Sequence, residues 1–200
     1  MLLRSYDASS LVIDTLGDWV KGRNAVVACF YFDFAAKKEQ FPMSVLSSIL
    51  KQVVCKLETI PEKIAKAFRD QKNVIGGRRL EPSEIVEMLR EISSSRPTFV
   101  CIDAVDECMA EYRAELLDSL KQVLRKSPGI RIFLAGRLQI RDEVGKHLSG
   151  RVVAVSIVPI RNDIIRFLRA KLKKDATPDA MDKRLEADII KSIPEKVSPM

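Results

Sequence analysis

The fold of this chain is decided by one stretch, Pro97–Cys108, which reads PTFVCIDAVDEC. Its apolar run, Phe99–Ile102, is rich in aromatic and β-branched residues, and the chain becomes acidic directly after it. A continuous apolar run of this length predicts a strand that is buried on both faces, as in a parallel sheet covered by helices. Carboxylates that follow such a strand lie at the edge where open α/β sheets bind ligands.

The acidic residues after the strand have the form of a Walker B element, D-x-x-D-E. In such an element the first acid, here Asp103, holds Mg²⁺ directly or through water. A later acid, here Asp106 or Glu107, can orient or deprotonate an attacking water. A strand followed by an exposed acidic turn that caps a helix explains the same residues without any ligand, and both interpretations stay open here.

Strand-like and helix-like patterns alternate along the whole chain. Strands are predicted at Ala25–Phe32, Thr98–Asp103, Ile130–Ala135 and Arg151–Val158. Helices are predicted at Ser9–Lys21, Leu46–Leu57, Pro61–Gln71, Pro82–Ile92, Leu117–Leu124, Ile140–Leu148, Ile164–Leu172 and Pro178–Ser192, and a loop at Asn73–Arg79. Because the helical segments are long enough for crossovers, the predicted fold class is α/β, with a mainly parallel sheet and helices on both faces.

Composition excludes several classes of protein. Hydrophobic residues make up 46% of the 200 residues and charged residues 30%, which is typical of a globular domain, and no apolar stretch reaches the length of a membrane span. Cys29, Cys55 and Cys101 lie in apolar runs and are interpreted as reduced core residues of an intracellular protein. With His147 as the only histidine, a zinc site is not expected.

A positive charge follows the third predicted strand. Arg137 comes directly after Ile130–Gly136, and in a parallel sheet it could reach the same edge as Asp103. An arginine opposite a magnesium-holding carboxylate is the arrangement that stabilises charge on a transferred γ-phosphate. A surface ion pair, or an arginine bound to loop carbonyls, accounts for Arg137 equally well at this point.

These residues together resemble the NACHT branch of the STAND P-loop NTPases, in the nephrocystin-like N-terminal form abundant in filamentous fungi. The resemblance covers nearly all of the chain from about Ser9 onward. The matching segments are Phe30–Phe34, Cys101–Cys108, Leu116–Leu120, Ser127–Arg137, Asp163–Leu168 and Thr177–Met181.

The resemblance implies a three-layer sheet of P-loop NTPase type and a cytoplasmic signalling protein. It makes Asp103 the Mg²⁺-linked acid, Asp106 and Glu107 the catalytic acidic pair, and Arg137 a nucleotide-sensing arginine. The implied cofactor is Mg-ATP or Mg-GTP. The implied partners are other protein chains, through oligomerisation or full-length relatives, with no membrane. In such a switch, nucleotide binding gates oligomerisation in self/non-self recognition.

One family element does not occur in the sequence. The family places a phosphate loop, G-x-x-x-x-G-K-[ST], directly before the helix that begins near Ser9, whereas residues 1–10 read MLLRSYDASS. Gly76–Arg79 cannot replace it, because no strand leads into that loop. We therefore predict one partial domain over residues 1–200, with residues 1–8 not matching and the first strand and phosphate loop absent. Such a module is not expected to hydrolyse nucleotide by itself, and a fragment and a reduced paralogue both stay open.

The alternative function is a non-enzymatic protein-interaction domain. A basic nucleic-acid-binding domain is the less favoured form of this alternative, since the net charge of +7 permits it without requiring it. It would use the basic side of one predicted helix, with Arg161, Arg166, Arg169, Lys171, Lys173 and Lys174. A solvated helix face explains the same charges. Steep salt dependence of binding would separate the two.

Overall fold

The computed structural model describes residues 6–73, 80–149, 152–156, 160–173 and 182–197. The chain divides into two compact units, Met1–Val153 and Ala154–Met200. Most of the predicted loop at Asn73–Arg79, and the segment Thr177–Met181, lie outside the described residues.

The first unit alternates helices and strands in the predicted order. Its helices are α1 (Tyr6–Val20), α2 (Pro42–Val54), α3 (Glu62–Asn73), α4 (Pro82–Ser95), α5 (Ala110–Lys126) and α6 (Arg141–His147). Its strands are β1 (Val26–Tyr31), β2 (Thr98–Asp103) and β3 (Ile130–Leu134), with short 3-10 helices at Phe34–Glu39, Val105–Glu107 and Leu138–Ile140. The second unit contains α7 (Arg161–Leu172) and α8 (Lys183–Val197) among its described residues.

The sheet is parallel and has the order β1-β2-β3 in the described part of the chain. Strand β2 is therefore central, as its unbroken apolar run predicts. The register pairs Cys29 with Cys101 and Tyr31 with Asp103 across β1 and β2. All three strands end at the same edge, which brings the residues after β2 and β3 close together.

Helices cover both faces of this sheet, so the predicted α/β fold class is confirmed. On one face, α1 lies against β1 and β2, and the ring of Trp19 meets Phe99 edge-on at 5.4 Å between centroids. On the other face, α2, α4 and α5 enclose the main core, into which the alternating residues Val100 and Ile102 project. Leu50 and Leu117 are among the side chains fully buried there.

The predicted fourth strand, Arg151–Val158, is wrong over the residues that the structure describes. Residues 152–156 form no strand, and Val153 is 90% exposed and Val155 79% exposed. A run of β-branched residues predicts a strand only when a neighbouring strand completes its hydrogen bonds and covers its apolar face. No described strand pairs with this segment.

In the second unit, α7 and α8 pack against each other, and Ile164 is buried. The basic residues predicted on this helix, Arg161, Arg166, Arg169, Lys171 and Lys173, are exposed on α7 or at its end, while Lys174 lies outside the described residues. Across the described ranges of the chain, no helix is long and apolar enough to cross a membrane.

The four cysteines are free, but they do not all lie in the core. Burial raises the pKa of Cys101 and of Cys108 to about 11, so both are protonated thiols at neutral pH. Cys29 is half-buried. The prediction of a core position for Cys55 is wrong, because this residue follows the last turn of α2 and is exposed.

Two glutamine side chains form hydrogen bonds with backbone groups of β1 and of the residues just after it. The amide group of Gln52 accepts the Cys29 N–H at 3.0 Å and donates to the Cys29 carbonyl oxygen at 2.7 Å. Just beyond the strand, the Asp33 N–H donates to Gln40 Oε1 at 3.0 Å. Since an open strand edge is a template for association, these amides substitute for the partner that an edge strand lacks.

Replacing Gln52 with methionine is expected to lower the free energy of unfolding by about 1–3 kcal/mol, because two backbone groups of Cys29 lose their partners. The measurement is denaturant unfolding, with sedimentation to detect association through the opened edge. Gln122→Met is the matched control, since Gln122 is exposed on α5. Equal stability of the two variants would mean that water satisfies the Cys29 groups.

Candidate functional site

Asp103 is the last residue of β2, and its carboxylate is only partly satisfied. The residue is 1% exposed, and its Oδ1 accepts the Ala104 N–H at 2.8 Å. Its Oδ2 is buried and has no hydrogen-bond partner within the described residues. A buried oxygen of this kind costs free energy unless a donor or a cation satisfies it. One oxygen of the carboxylate is therefore without a described partner.

The backbone turns sharply after Asp103. Ala104 has φ 55° and ψ 40°, the left-handed region that residues with a Cβ rarely adopt. Two bonds hold it: the Val105 N–H donates to the Ala135 carbonyl at 3.0 Å and the Glu107 N–H to the Ala104 carbonyl at 2.8 Å. Such a conformation costs on the order of 1–3 kcal/mol and is concentrated at functional sites. The turn directs Asp106 toward the end of β3.

Asp106 and Arg137 meet at this edge. The Arg137 N–H donates to Asp106 Oδ1 at 3.1 Å, and Arg137 Nε lies 3.3 Å from Asp106 Oδ2. The Asp106 side chain is 5% exposed, whereas that of Arg137 is 68% exposed. Gly136 makes the approach possible, because a Cβ there would lie 2.8 Å from Ile140 Cδ1 and 3.2 Å from Asp106 Oδ1.

The structure thus brings together the residues that the sequence singled out. Asp103, Asp106 and Arg137 lie at the carboxyl edge of β2 and β3, and Glu107 is half-buried in the turn between β2 and α5. Arg137 forms an ion pair with Asp106, so the alternative explanation of Arg137 as a member of a surface ion pair also has support. The roles assigned to these four residues stay predictions.

Sequence reasoning assigned no role to Tyr31, although the structure places it beside Asp103. Tyr31 pairs with Asp103 in the register, so both side chains lie on the same face of the sheet. Burial, together with the nearby charges of Asp103 and of Asp14 on α1, raises the pKa of the Tyr31 hydroxyl. A tyrosine at the end of a strand was the only sequence signal, and the register needed to interpret it comes from the fold.

Helix α1 runs antiparallel to the strands. Trp19, near its end, contacts Phe99 near the start of β2, and α1 lies against both β1 and β2. The beginning of α1 therefore lies toward the carboxyl edge of the sheet. Helix N-termini attract anions, because their first N–H groups have no partners within the helix.

These residues fit a magnesium ion in part. No group of three or more histidine, cysteine, aspartate or glutamate side chains in the described ranges could hold a metal alone. Mg²⁺ in nucleotide sites takes only one or two carboxylates and completes its shell with phosphates and water. The Oδ2 of Asp103, which has no partner in the described part of the chain, suits that requirement. For the phosphates, the sequence contains no G-x-x-x-x-G-K-[ST] loop.

A parallel sheet with helices on both faces and charged side chains at its carboxyl edge defines an α/β domain of the class that binds ligands at that edge. The chain belongs to the nephrocystin 3, N-terminal family, whose family model matches residues 8–137. The resemblance to the nephrocystin-like N-terminal form is thereby confirmed. Its NACHT, STAND and fungal assignments stay predictions.

Among solved structures, the chain is similar to the Walker-type ATPase of Pyrococcus abyssi, with a TM-score of 0.48 and 12% sequence identity. The similarity covers 96% of this chain and 65% of that one, so the chain spans just under two thirds of the solved structure. No curated protein matches the sequence. A similarity at this level identifies neither a ligand nor an activity.

Proposed function

We propose that this chain is a partial or degenerate nucleotide-switch module of NACHT type, from a fungal STAND protein that acts in self/non-self signalling in the cytoplasm. Its ligand is Mg-ATP or Mg-GTP, and it does not hydrolyse nucleotide by itself. The observation that carries the proposal is the buried Oδ2 of Asp103 at the end of the central strand, which has no hydrogen-bond partner among the described residues. The match to the nephrocystin 3, N-terminal family supports the same class of function.

In this proposal Asp103 holds the magnesium ion, which when bound neutralises phosphate charge. Arg137 supplies a cation for the terminal phosphate. The Arg137 side chain is 68% exposed, so a phosphate can approach its guanidinium from solvent while Asp106 keeps its bond to the Arg137 N–H. Asp106 and Glu107 then lie beside the site as the second acidic pair. Tyr31 provides a hydroxyl group next to Asp103.

Hydrolysis requires more than these groups. The γ-phosphoryl group has to be fixed in line with an attacking water, and in P-loop enzymes backbone N–H groups and a lysine of the phosphate loop do this. The sequence has no such motif. We therefore expect the chain to bind nucleotide without hydrolysing it. The bound or unbound state of the site is then what the module signals.

The proposal is tested by titrating the chain with fluorescent ATP and GTP analogues, with and without Mg²⁺, and by measuring phosphate release. We expect Mg²⁺-dependent binding that Asp103→Ala abolishes, and no release above a protein-free blank. Asp18→Asn is the control, because Asp18 pairs with Lys21 in an exposed position on α1. Absence of Mg²⁺-dependent binding would overturn the proposed ligand, and turnover that Asp103→Ala removes would overturn the proposed inactivity.

A protein-interaction domain is the second candidate, and one observation favours it. Phe34 and Leu138, which follow β1 and β3 at the carboxyl edge, are each 68% exposed. Exposed apolar side chains near a functional edge suit contact with another protein chain. If nucleotide does not bind, and Phe34→Ser with Leu138→Ser abolishes a self-association seen by sedimentation, this candidate replaces the first.

A further inference from the structure

Arg113, on the first turns of α5, joins two segments that are distant in sequence. Its Nη1 donates to the Cys108 carbonyl oxygen at 2.9 Å. Its Nε donates to Glu143 Oε2 at 2.8 Å, and its Nη2 lies at the same distance from that oxygen. One guanidinium therefore contacts both the backbone after β2 and a side chain of α6.

The two joined segments are the ones that carry the candidate site. Cys108 ends the turn that contains Asp106, and Glu143 lies in the first turn of α6, shortly after Arg137. The same segments are also joined by Asp106 and Arg137. The acidic turn and the arginine segment are thus connected twice, once through Asp106 and once through Arg113.

The connection through Arg113 is the better shielded of the two. The Arg113 side chain is 13% exposed and that of Glu143 29%, against 68% for Arg137. A charge-assisted pair in a partly buried place is screened less by water and is harder to replace than an exposed pair. A second pair, His147 Nδ1 with Asp118 Oδ1 at 2.9 Å, also connects α6 to α5.

We propose that Arg113 and Glu143 are a positioning pair, which holds the Arg137 segment against the acidic turn and thereby sets how well the site distinguishes a nucleoside triphosphate from a diphosphate. The second half of this proposal rests on the proposed function. Arg137 can meet a terminal phosphate only from a fixed backbone position, since its side chain has no other described anchor than Asp106. Arg113 itself does not touch the ligand.

The test uses Glu143→Gln, which keeps the size of the side chain and removes its charge, and Arg113→Lys as a second variant. The readout is hydrogen exchange at the Arg137 amide, which donates to Asp106 Oδ1. The Phe32 amide, which donates to the Asp103 carbonyl at 3.1 Å, serves as the internal reference. The control variant is Glu87→Gln, which removes an exposed pair with Arg90 on α4. Affinities for ATP and ADP analogues are measured on the same samples.

We expect Glu143→Gln to accelerate exchange at Arg137 about tenfold with Phe32 unchanged, because only the local segment is released. We also expect the ratio of ATP to ADP affinity to fall toward one. Equal acceleration at Arg137 and Phe32, or none at Arg137, would show a purely structural pair and overturn the proposal. Local acceleration with an unchanged affinity ratio would overturn the part that concerns nucleotide. If the unaltered chain binds neither nucleotide, the proposed function fails, and exchange alone decides the positioning role.

Discussion

Replacing Asp103 with asparagine is expected to raise the free energy of unfolding of the metal-free chain by about 1–3 kcal/mol. The Asp103 side chain is buried and its Oδ2 has no partner in the described part of the protein, so this carboxylate oxygen loses its hydration on folding without gaining a hydrogen bond in return. Asparagine keeps an oxygen for the Ala104 N–H. When a substitution at a functional position stabilises the fold, the native residue is usually kept for function at a cost in stability.

The same substitution is expected to abolish any stabilisation by Mg²⁺ and nucleotide, which act only by binding the folded chain. Thermal unfolding with and without these ligands measures both effects. Asp106→Asn is the matched control, because Asp106 is also a nearly buried acid but both of its oxygens contact Arg137. Asp106→Asn should lower the stability. If Asp103→Asn lowers it as well, the Oδ2 of Asp103 is already compensated and the argument for a ligand at that oxygen fails.

Gly129→Ala is expected to destabilise the protein by about 3 kcal/mol, as overpacking of a close contact does. Gly129 lies in the turn between α5 and β3, and a Cβ there would lie 2.2 Å from the Ser93 carbonyl oxygen and 3.2 Å from the Ser93 carbonyl carbon. Both atoms belong to the backbone of α4, so no side-chain rotation can relieve the clash. The turn would also move, and with it the bond from the Thr98 N–H to the Gly129 carbonyl.

Gly17→Ala is the control for that effect. Gly17 lies inside α1, and a Cβ there meets nothing within 4 Å. Alanine in a helix interior is preferred over glycine by about 1 kcal/mol, so this variant should be as stable as the unaltered chain or more so. Denaturant unfolding of the two variants side by side gives the comparison. A Gly129→Ala chain that unfolds at the same denaturant concentration as Gly17→Ala would show that α4 yields at little cost.

Much of the candidate site was accessible from the sequence, because its residues follow directly from strand patterns. The apolar run Phe99–Ile102 predicts a central strand, and the positions of Asp103 and Arg137 at strand ends place both at one sheet edge. Tyr31 was missed because its relation to Asp103 depends on the strand register. The pair Arg113 and Glu143 was missed because its partners are 30 positions apart.

The sequence by itself determined the order of helices and strands and the central place of β2, since amphipathic periodicity and apolar runs are local properties. It did not determine where a strand fails to form, because residues 152–156 have the composition of a strand but no described neighbour to pair with. Only the tertiary structure decided that Gln52 forms hydrogen bonds with the edge of β1, that Cys55 is exposed, and that one oxygen of Asp103 has no partner within the described ranges. Each of these depends on contacts between residues that are distant in sequence. Hydrogen bonding and burial follow from those contacts and cannot be read from a local pattern.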